Sequence, residues 1–235
     1  MEKSEQKSVQ TLGQQDMKQP AQQPEQQSIQ QRNKSILYYV HDPMCSWCWA
    51  FVPVWETIKQ NLPDHIEVRY VLGGLAPDSN EPMPSAMQAA ISGYWKTIMQ
   101  RVPGTTFNFD FWEKCEPRRS TYPSCRAVIA ARNQDASKEE SMINAIQQGY
   151  YLRAMSPSND STLIELASEL GLNPEQFEED LNSAETQRTL IEEINMGQAI
   201  GAQGFPSLIL KNESGYRFIA LDYNDANVTL AQLGL

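Results

Sequence analysis

Two short apolar runs in the first third of the chain predict β-strands, and the residues between them predict a helix. Residues 36–41 form the continuous apolar run of a buried strand, whereas apolar and polar positions largely alternate in residues 66–72, as in a half-buried strand. Residues 45–61 between them have the amphipathic pattern of one helix. A strand, a helix and a strand with short connections predict a right-handed parallel β-α-β unit.

For roughly the next hundred residues, the spacing of apolar residues is that of helices rather than that of strands. Apolar residues recur every three or four positions over residues 87–102, which predicts one helical face. Ser137 and Glu140 form a capping-box pattern before another helix, and further helices are predicted to start near Asp160 and Pro174. This part of the chain is therefore predicted to be all-helical.

Strand patterns return near the end of the chain. A longer predicted helix ends at Gly201, and residues 207–210 and 216–219 then flank a turn that is typical of a hairpin. The last dozen residues can form a short helix. The sheet is therefore expected to combine strands from both ends of the sequence.

Composition and charge exclude several classes of function. The chain has 235 residues, of which 40% are hydrophobic, so it can bury a substantial core. Its net charge is −10 and it has no cluster of Lys and Arg that would follow a phosphate backbone, so nucleic acid is not an expected partner. No apolar stretch approaches the ~18 to 20 residues that cross a bilayer, and we do not expect a membrane-embedded protein.

Residues 1–34 differ in composition from the rest of the chain. They contain 11 Gln, no aromatic residue and no apolar run of the kind found in a signal peptide. We therefore predict a disordered Gln-rich tail. The missing export signal favours a cytoplasmic protein, and there a pair of nearby thiols is more often catalytic or metal-binding than structural.

The motif Cys45-Ser46-Trp47-Cys48 lies where the first predicted strand passes into the first helix. Unpaired N–H groups and the positive end of the helix dipole favour thiolate over thiol at this position, so we expect a lowered pKa for Cys45 but not for Cys48. Cys48 lies one turn further on the same face and can resolve a mixed disulfide formed by Cys45. The motif therefore indicates dithiol redox chemistry.

This motif, together with Gly204-Phe205-Pro206-Ser207, resembles the DsbA-like thiol-disulfide oxidoreductases. The resemblance implies that Pro206 is a cis-proline beside the active-site cysteines and that Phe205 lines the substrate groove. Pro53 matches the proline that often kinks the first helix in thioredoxin-like proteins. The residues flanking the dithiol, and residues 122–127, look like the FrnE-like branch, which is often cytoplasmic.

The same resemblance implies an α/β fold, namely a thioredoxin-like fold with a large all-helical insertion. The thioredoxin-like domain would comprise residues 35–82 and 184–235, and the insertion residues 83–183. No dissociable cofactor is implied, because the redox-active group is a Cys45–Cys48 disulfide, and glutathione or another thiol could be the electron partner.

The sequence departs from the family pattern at two positions. The dipeptide between the cysteines is Ser46-Trp47 rather than the Pro-His of the strongly oxidising prototype, so oxidant strength is not inferable. Tyr39 stands where related proteins often have a buried acid, six residues before the first cysteine. We therefore expect a different proton route, through water or Glu56.

We predict a thiol-disulfide oxidoreductase in which Cys45 attacks, Cys48 resolves, and Trp47, Phe205 and Pro206 contact protein or small-molecule substrates. One alternative is a glutathione-dependent isomerase or transferase, of the chromene-carboxylate isomerase and kappa transferase group. Those enzymes usually have serine at the position of Cys45. Another alternative is a non-enzymatic metal-binding or chaperone module, although no second close Cys pair supports a zinc site.

Three further residues have alternative interpretations. Cys125 is predicted to lie in a helix as a small buried hydrophobe, and a packing role for it and Cys115 is favoured over an auxiliary disulfide between them. His41 could hold a thiolate if it were cationic and near, but a histidine at the end of a strand is more often a bystander. The sequence does not predict an oligomeric state.

Overall fold

The computed structural model describes residues Lys34–Leu235, so the predicted Gln-rich tail lies, apart from Lys34, outside the described residues. The described part contains a four-stranded sheet in the order β2-β1-β3-β4. Its strands are β1 (Ser35–His41), β2 (Ile66–Leu72), β3 (Ser207–Asn212) and β4 (Gly215–Ile219). β2 is parallel to β1, whereas β3 is antiparallel to both β1 and β4.

Helix α1 (Ser46–Gln60) connects β1 to β2 and completes the predicted β-α-β unit. Pro53 lies inside this helix, as expected. The apolar residues of β1 alternate between the two faces of the sheet, because successive side chains of a strand point in opposite directions. Leu37 packs with α1 on one face of the sheet, whereas Val40 belongs to a separate apolar cluster on the other face. The central strand is therefore buried on both sides, which explains its unbroken apolar run.

Helices fill the segment between β2 and β3. They are α2 (Ser85–Arg101), α3 (Phe111–Lys114), α4 (Tyr122–Gln134), α5 (Glu139–Arg153), α6 (Asp160–Glu169), α7 (Pro174–Leu181) and α8 (Ala184–Ala199), and α9 (Ala226–Leu233) follows β4. The predicted α/β fold with an all-helical insertion is confirmed, while the predicted domain boundaries stay a prediction.

The predicted capping box of Ser137 and Glu140 is wrong. The side chain of Asp135 accepts a hydrogen bond from the Ser137 backbone N–H at 2.9 Å and so begins a short 3-10 turn, Ala136–Lys138. Helix α5 starts after that turn, at Glu139. The Asp135 side chain, two residues before Ser137, therefore caps this turn in place of the Ser137 hydroxyl.

Two clusters of buried side chains join the helical segment to the sheet. Helix α4 is buried along most of its length and forms the centre of an apolar cluster that includes Leu72 at the end of β2. Trp95 of α2 is fully buried in an aromatic cluster with Tyr150 and Tyr151 of α5, and Ala50 of α1 packs into the same cluster. The helices therefore pack directly against the start of α1.

Candidate active site

Cys45 is the N-cap residue of α1, and Ser46 is the first residue of the helix. The backbone N–H of Cys45 donates to the Asp42 carbonyl at 3.0 Å, which closes a turn between β1 and α1. The Cys45 side chain is 7% exposed, whereas Cys48 is completely buried. Of the two residues, Cys45 is thus the one with any exposed surface.

The two thiols have pKa values displaced in opposite directions. Hydrogen bonds from the Cys48 thiol, and from backbone N–H groups at the start of the helix, lower the pKa of Cys45 although burial opposes the change. Burial and the adjacent Cys45 sulfur raise the pKa of Cys48 well above its usual value. Both directions agree with the expectation from the sequence, so Cys45 is the thiol of the pair that loses its proton more readily.

The loop before β3 lies against the Cys45 sulfur. The Phe205–Pro206 peptide bond is cis, which confirms the prediction for Pro206. The Cys45 thiol lies 3.5 Å from the Phe205 carbonyl oxygen and donates to it. The ring of Phe205 lies directly over Gly73 and occupies the space that a Cβ atom at this position would need. A side chain at position 73 would therefore displace the Phe205 ring from this position.

Trp47 is half-buried and makes an edge-to-face contact with Tyr223, with ring centroids 5.1 Å apart. Together with Cys45, Ser46 and Phe205, it lines a cavity of about 510 Å³. The structure therefore brings the predicted site residues to one cleft. Pro206 is buried and follows Phe205, which lines the cleft.

Asp42 is a buried carboxylate whose role the sequence did not predict. Its Oδ1 accepts from the Met44 N–H at 2.8 Å, and its Oδ2 accepts from the Leu75 N–H at 2.7 Å and from the Thr121 hydroxyl at 2.6 Å. The Cys125 thiol lies 3.5 Å from the same Oδ2 and donates to it. These donors explain why a carboxylate is tolerated in a fully buried position.

The charge of Asp42 acts on both active-site thiols. Burial raises the pKa of Asp42, while the hydrogen bonds from Thr121 and from the backbone oppose that change. When ionised, Asp42 raises the pKa of Cys45 and of Cys48. Glu56, the carboxylate considered from the sequence, instead pairs with Lys59 at 2.9 Å. A buried acid is therefore present, but it is Asp42, directly after β1, and not a residue at the position of Tyr39 within the strand.

The alternative role for His41 is excluded. Its ring is fully buried and stacks on Tyr39 with centroids 5.1 Å apart, and burial lowers its pKa to about 3. The imidazole is therefore neutral at physiological pH and cannot stabilise a thiolate by its charge.

All four cysteines lie within the described residues and are free thiols. Cys115 is half-buried and donates to the Ala154 carbonyl at 3.1 Å. Cys125 is completely buried, as predicted, but it donates to Asp42 rather than acting only as a small hydrophobe. The two sulfurs therefore have separate partners and lie in different apolar clusters.

The β-α-β unit has two thiols at the start of its helix, and a loop with a cis-proline faces them. This combination defines the class of thioredoxin-like proteins with a dithiol site. The chain belongs to the thioredoxin family, whose sequence profile matches residues 38–225. Solved structures of the DsbA family share the fold over most of the chain, which confirms the resemblance noted from the motifs.

Two of these structures are similar over nearly their whole length. A candidate protein disulfide isomerase from Nitrosomonas europaea is 27% identical, with a TM-score of 0.74, and the match covers 86% of this chain and 96% of that protein. The cytosolic disulfide reductase DsbM from Pseudomonas aeruginosa is 23% identical, with a TM-score of 0.69, over 85% of this chain and 97% of its own.

Curated relatives are more distant. The ClpXP adapter protein SpxH of Halalkalibacterium halodurans is 20% identical over 190 residues, which cover 79% of this chain and 61% of the relative. The chain therefore spans about 60% of the length of the curated relative that it matches. Within Lys34–Leu235, no helix combines the length and apolar character needed to cross a membrane.

Proposed function

We propose that this protein is a thiol-disulfide oxidoreductase that uses Cys45 and Cys48 as its dithiol. The observation that carries the proposal is the asymmetry of the pair. Cys45 is reachable and has a lowered pKa, whereas Cys48 is buried and has a raised one. An attacking thiol must be a thiolate and accessible, while a resolving thiol only has to reach its neighbour.

In the reducing direction, the Cys45 thiolate attacks one sulfur of a substrate disulfide and releases the other as a thiolate. Cys48 then loses its proton and attacks the Cys45 sulfur, which forms the Cys45–Cys48 disulfide and releases the second substrate thiol. Asp42, a buried carboxylate whose charge acts on Cys48, is the proposed acceptor of the Cys48 proton. Two electrons pass to the substrate, whose two sulfurs take up protons from Asp42 and from solvent, and a reducing thiol restores the dithiol.

Trp47, Phe205 and Pro206 are proposed to position the substrate beside Cys45. Phe205 and Trp47 both line the cavity that Cys45 also lines. The Phe205 carbonyl, which accepts from the Cys45 thiol, becomes available to a substrate N–H once that thiol is a thiolate. Protein disulfides and small disulfides are therefore both proposed substrates, and isomerisation is the case in which a substrate thiol performs the resolving step.

Glutathione or another thiol is the proposed electron partner, with no dissociable cofactor. Support comes from DsbM, which has also been solved with GSH and matches 85% of this chain with a TM-score of 0.66. The description of DsbM as cytosolic likewise supports our proposal of a cytoplasmic location.

The test separates the roles of the cysteines. We expect Cys45→Ser to abolish disulfide reduction, because no other thiol is both accessible and activated. Cys48→Ser should still attack and should accumulate a mixed disulfide at Cys45, detected by mass spectrometry. Cys115→Ser is the matched control, since Cys115 lies apart from the dithiol and donates to Ala154. Substrate linked to Cys115 or Cys125 in the Cys48→Ser protein would contradict the mechanism.

Two alternatives make different predictions. A glutathione-dependent isomerase or transferase would conjugate glutathione to an electrophile, and this activity would survive Cys48→Ser. A non-enzymatic binding role has the support of the adapter name that the curated relatives bear. Partner binding that persists in a Cys45→Ser, Cys48→Ser double variant, without any exchange activity in the unaltered protein, would favour that role.

A further inference from the structure

The cavity beside Cys45 has an apolar wall and one charged residue. Ile91 and Trp95 come from α2 of the insertion, and Phe205 comes from the loop before β3. Among the residues that line the cavity, Arg119 is the one that carries a charge. A cavity of about 510 Å³ has the size of a small-molecule site, and few polar groups usually fix the orientation of a ligand in such sites.

Arg119 is half-buried and differs from the other arginines near it. Arg118 donates to the Ser158 carbonyl and to the side chains of Asn80 and Asn159, and Arg126 pairs with Asp78 at 2.8 Å. Within Lys34–Leu235, Arg119 makes neither an ion pair nor a hydrogen bond. Its guanidinium is close enough to Tyr150, another residue of the cavity wall, to oppose the rise that burial causes in the pKa of that phenol.

The Arg119 guanidinium thus has no acceptor among the described residues, although the chain has 29 acidic and only 19 basic residues. Its fork of N–H donors matches the two oxygens of a carboxylate, and such bidentate pairs are among the strongest hydrogen bonds in proteins. Cys45 lines the same cavity. A ligand held here would therefore carry an anionic group at one end and a sulfur at the other.

We propose that this cavity selects small thiols and disulfides that bear a carboxylate, with the carboxylate on Arg119 and the reacting sulfur at Cys45. The inference rests on the proposed oxidoreductase function. Cys45 attacks the bound disulfide and releases one carboxylate-bearing thiolate, and Cys48 then displaces the second, so that the dithiol loses two electrons and the ligand gains them. Arg119 takes no part in bond making and acts through binding alone.

The test compares two disulfides of nearly equal size, 3,3′-dithiodipropionate and its uncharged diamide. Reduced protein is mixed with each, and its oxidation in a single turnover is followed by acid quenching and mass spectrometry. The readout is the ratio of the rate with the dianion to the rate with the diamide. Arg119→Gln should lower this ratio about tenfold, which corresponds to ~1.4 kcal/mol, whereas the rate with the diamide should change little.

Lys96→Gln is the matched control. It removes the same charge from an exposed residue of α2 that lies over the Phe109 ring and does not line the cavity. We expect it to leave the ratio within about twofold, as for an ordinary surface substitution. Equal effects of the two variants would show that overall charge, rather than Arg119, sets any preference, and would overturn the inference.

A measurement on the unaltered protein does not depend on how a variant folds. 3-(Methylthio)propionate carries the carboxylate but cannot exchange, and it should slow oxidation by the diamide more than its own amide does. Equal inhibition would overturn the anion site while leaving the oxidoreductase function intact. If neither disulfide oxidised the reduced protein, the oxidoreductase function itself would be wrong, and the inference with it.

Discussion

Asp42 combines two features that usually oppose each other in a protein interior. It is fully buried, which disfavours its charged form, yet it accepts hydrogen bonds from two backbone N–H groups and from Thr121, which favour that form. Burial is the larger effect, and the pKa of Asp42 is raised. A carboxylate of this kind can exchange a proton with its neighbours under conditions where an exposed aspartate stays ionised.

Asp42→Asn should lower the pKa of both active-site thiols. The physical reason is that the Asp42 charge raises both values, and the amide keeps the shape of the side chain but carries no charge. The measurement is the ultraviolet absorbance of the thiolates in the reduced protein as a function of pH. Glu56→Gln is the control, because Glu56 lies on the same helix as Cys48 but pairs with Lys59. A rise in the Cys45 pKa would contradict the assignment.

The same variant should change how stability depends on pH. Since the folded-state pKa of Asp42 is raised above its ordinary value of 3.8, its favourable contribution is full below that value and is lost as the pH rises through the folded-state pKa. Asp42→Asn removes this loss. In urea unfolding, the free energy of unfolding of the variant, relative to that of the unaltered protein, should therefore be lowest at low pH and should increase as the pH rises.

At the residue scale, the sequence predicted the groups whose chemistry follows from spacing. The proposed roles of Cys45 and Cys48 could be predicted because they depend only on a separation of three residues at a helix start. Asp42 could not, because its partners Leu75 and Thr121 are 33 and 79 residues away in the chain and only the fold brings them together. An acid directly after a buried strand was the one local signal for this role.

At the element scale, the close contact between the end of β2 and the loop before β3 determines how that loop meets the dithiol. Gly73 follows β2 directly, its N–H donates to the His41 carbonyl at 2.6 Å, and the Phe205 ring covers it. No side chain fits between the backbone of Gly73 and this ring. The position of Phe205 over the cleft therefore depends on a glycine in another element.

Gly73→Ala should slow disulfide exchange at Cys45, because the added methyl group displaces the Phe205 ring, which lines the cavity beside Cys45. We expect at least a tenfold loss in rate, of the order produced by a misplaced binding group. Gly93→Ala is the matched control, since Gly93 lies within α2 and nothing lies within 4 Å of its added methyl group. That control should keep its activity and gain about 0.5–1 kcal/mol in stability. Equal rates for both variants would show that the Phe205 position does not matter.

The elements themselves were predicted where one period continued for several turns or one apolar run was bounded by turn residues. Helix α1 was predicted over residues 45–61 and extends over Ser46–Gln60, with Cys45 and Asn61 as its caps. The start of α5 was predicted wrongly because Ser137 and Asp135 can both cap, and local sequence does not decide between them. Helix α3 has only four residues, too few for a period to be recognised.

At the scale of the whole molecule, the helical insertion supports the dithiol directly. The Tyr151 hydroxyl on α5 donates to the carbonyl of Met44, the residue before Cys45, at 2.8 Å. Its ring stacks on Trp49 of α1 with centroids 5.6 Å apart, and the Trp49 indole N–H donates to the Thr106 carbonyl at 3.1 Å. These contacts join segments up to 107 residues apart, so the sequence could predict a helical segment but not which of its residues would meet the active site.

The hydrogen bond of Tyr151 offers a test of this coupling. Tyr151→Phe keeps the ring that stacks on Trp49 and removes only the donor to Met44, so it should lower the free energy of unfolding by about 1 kcal/mol, the net value of one such bond. Tyr150→Phe is the matched control, because the neighbouring hydroxyl donates no hydrogen bond within the described residues, and it should change stability by less than about 0.5 kcal/mol. Urea unfolding followed by tryptophan fluorescence measures both.

Because Met44 directly precedes Cys45, the Tyr151 variant should also shift the thiolate titration, whereas the Tyr150 variant should shift it less. An equal loss of stability in both variants would mean that the insertion stabilises the dithiol through the bulk of its aromatic cluster, without a specific contribution from the bond to Met44.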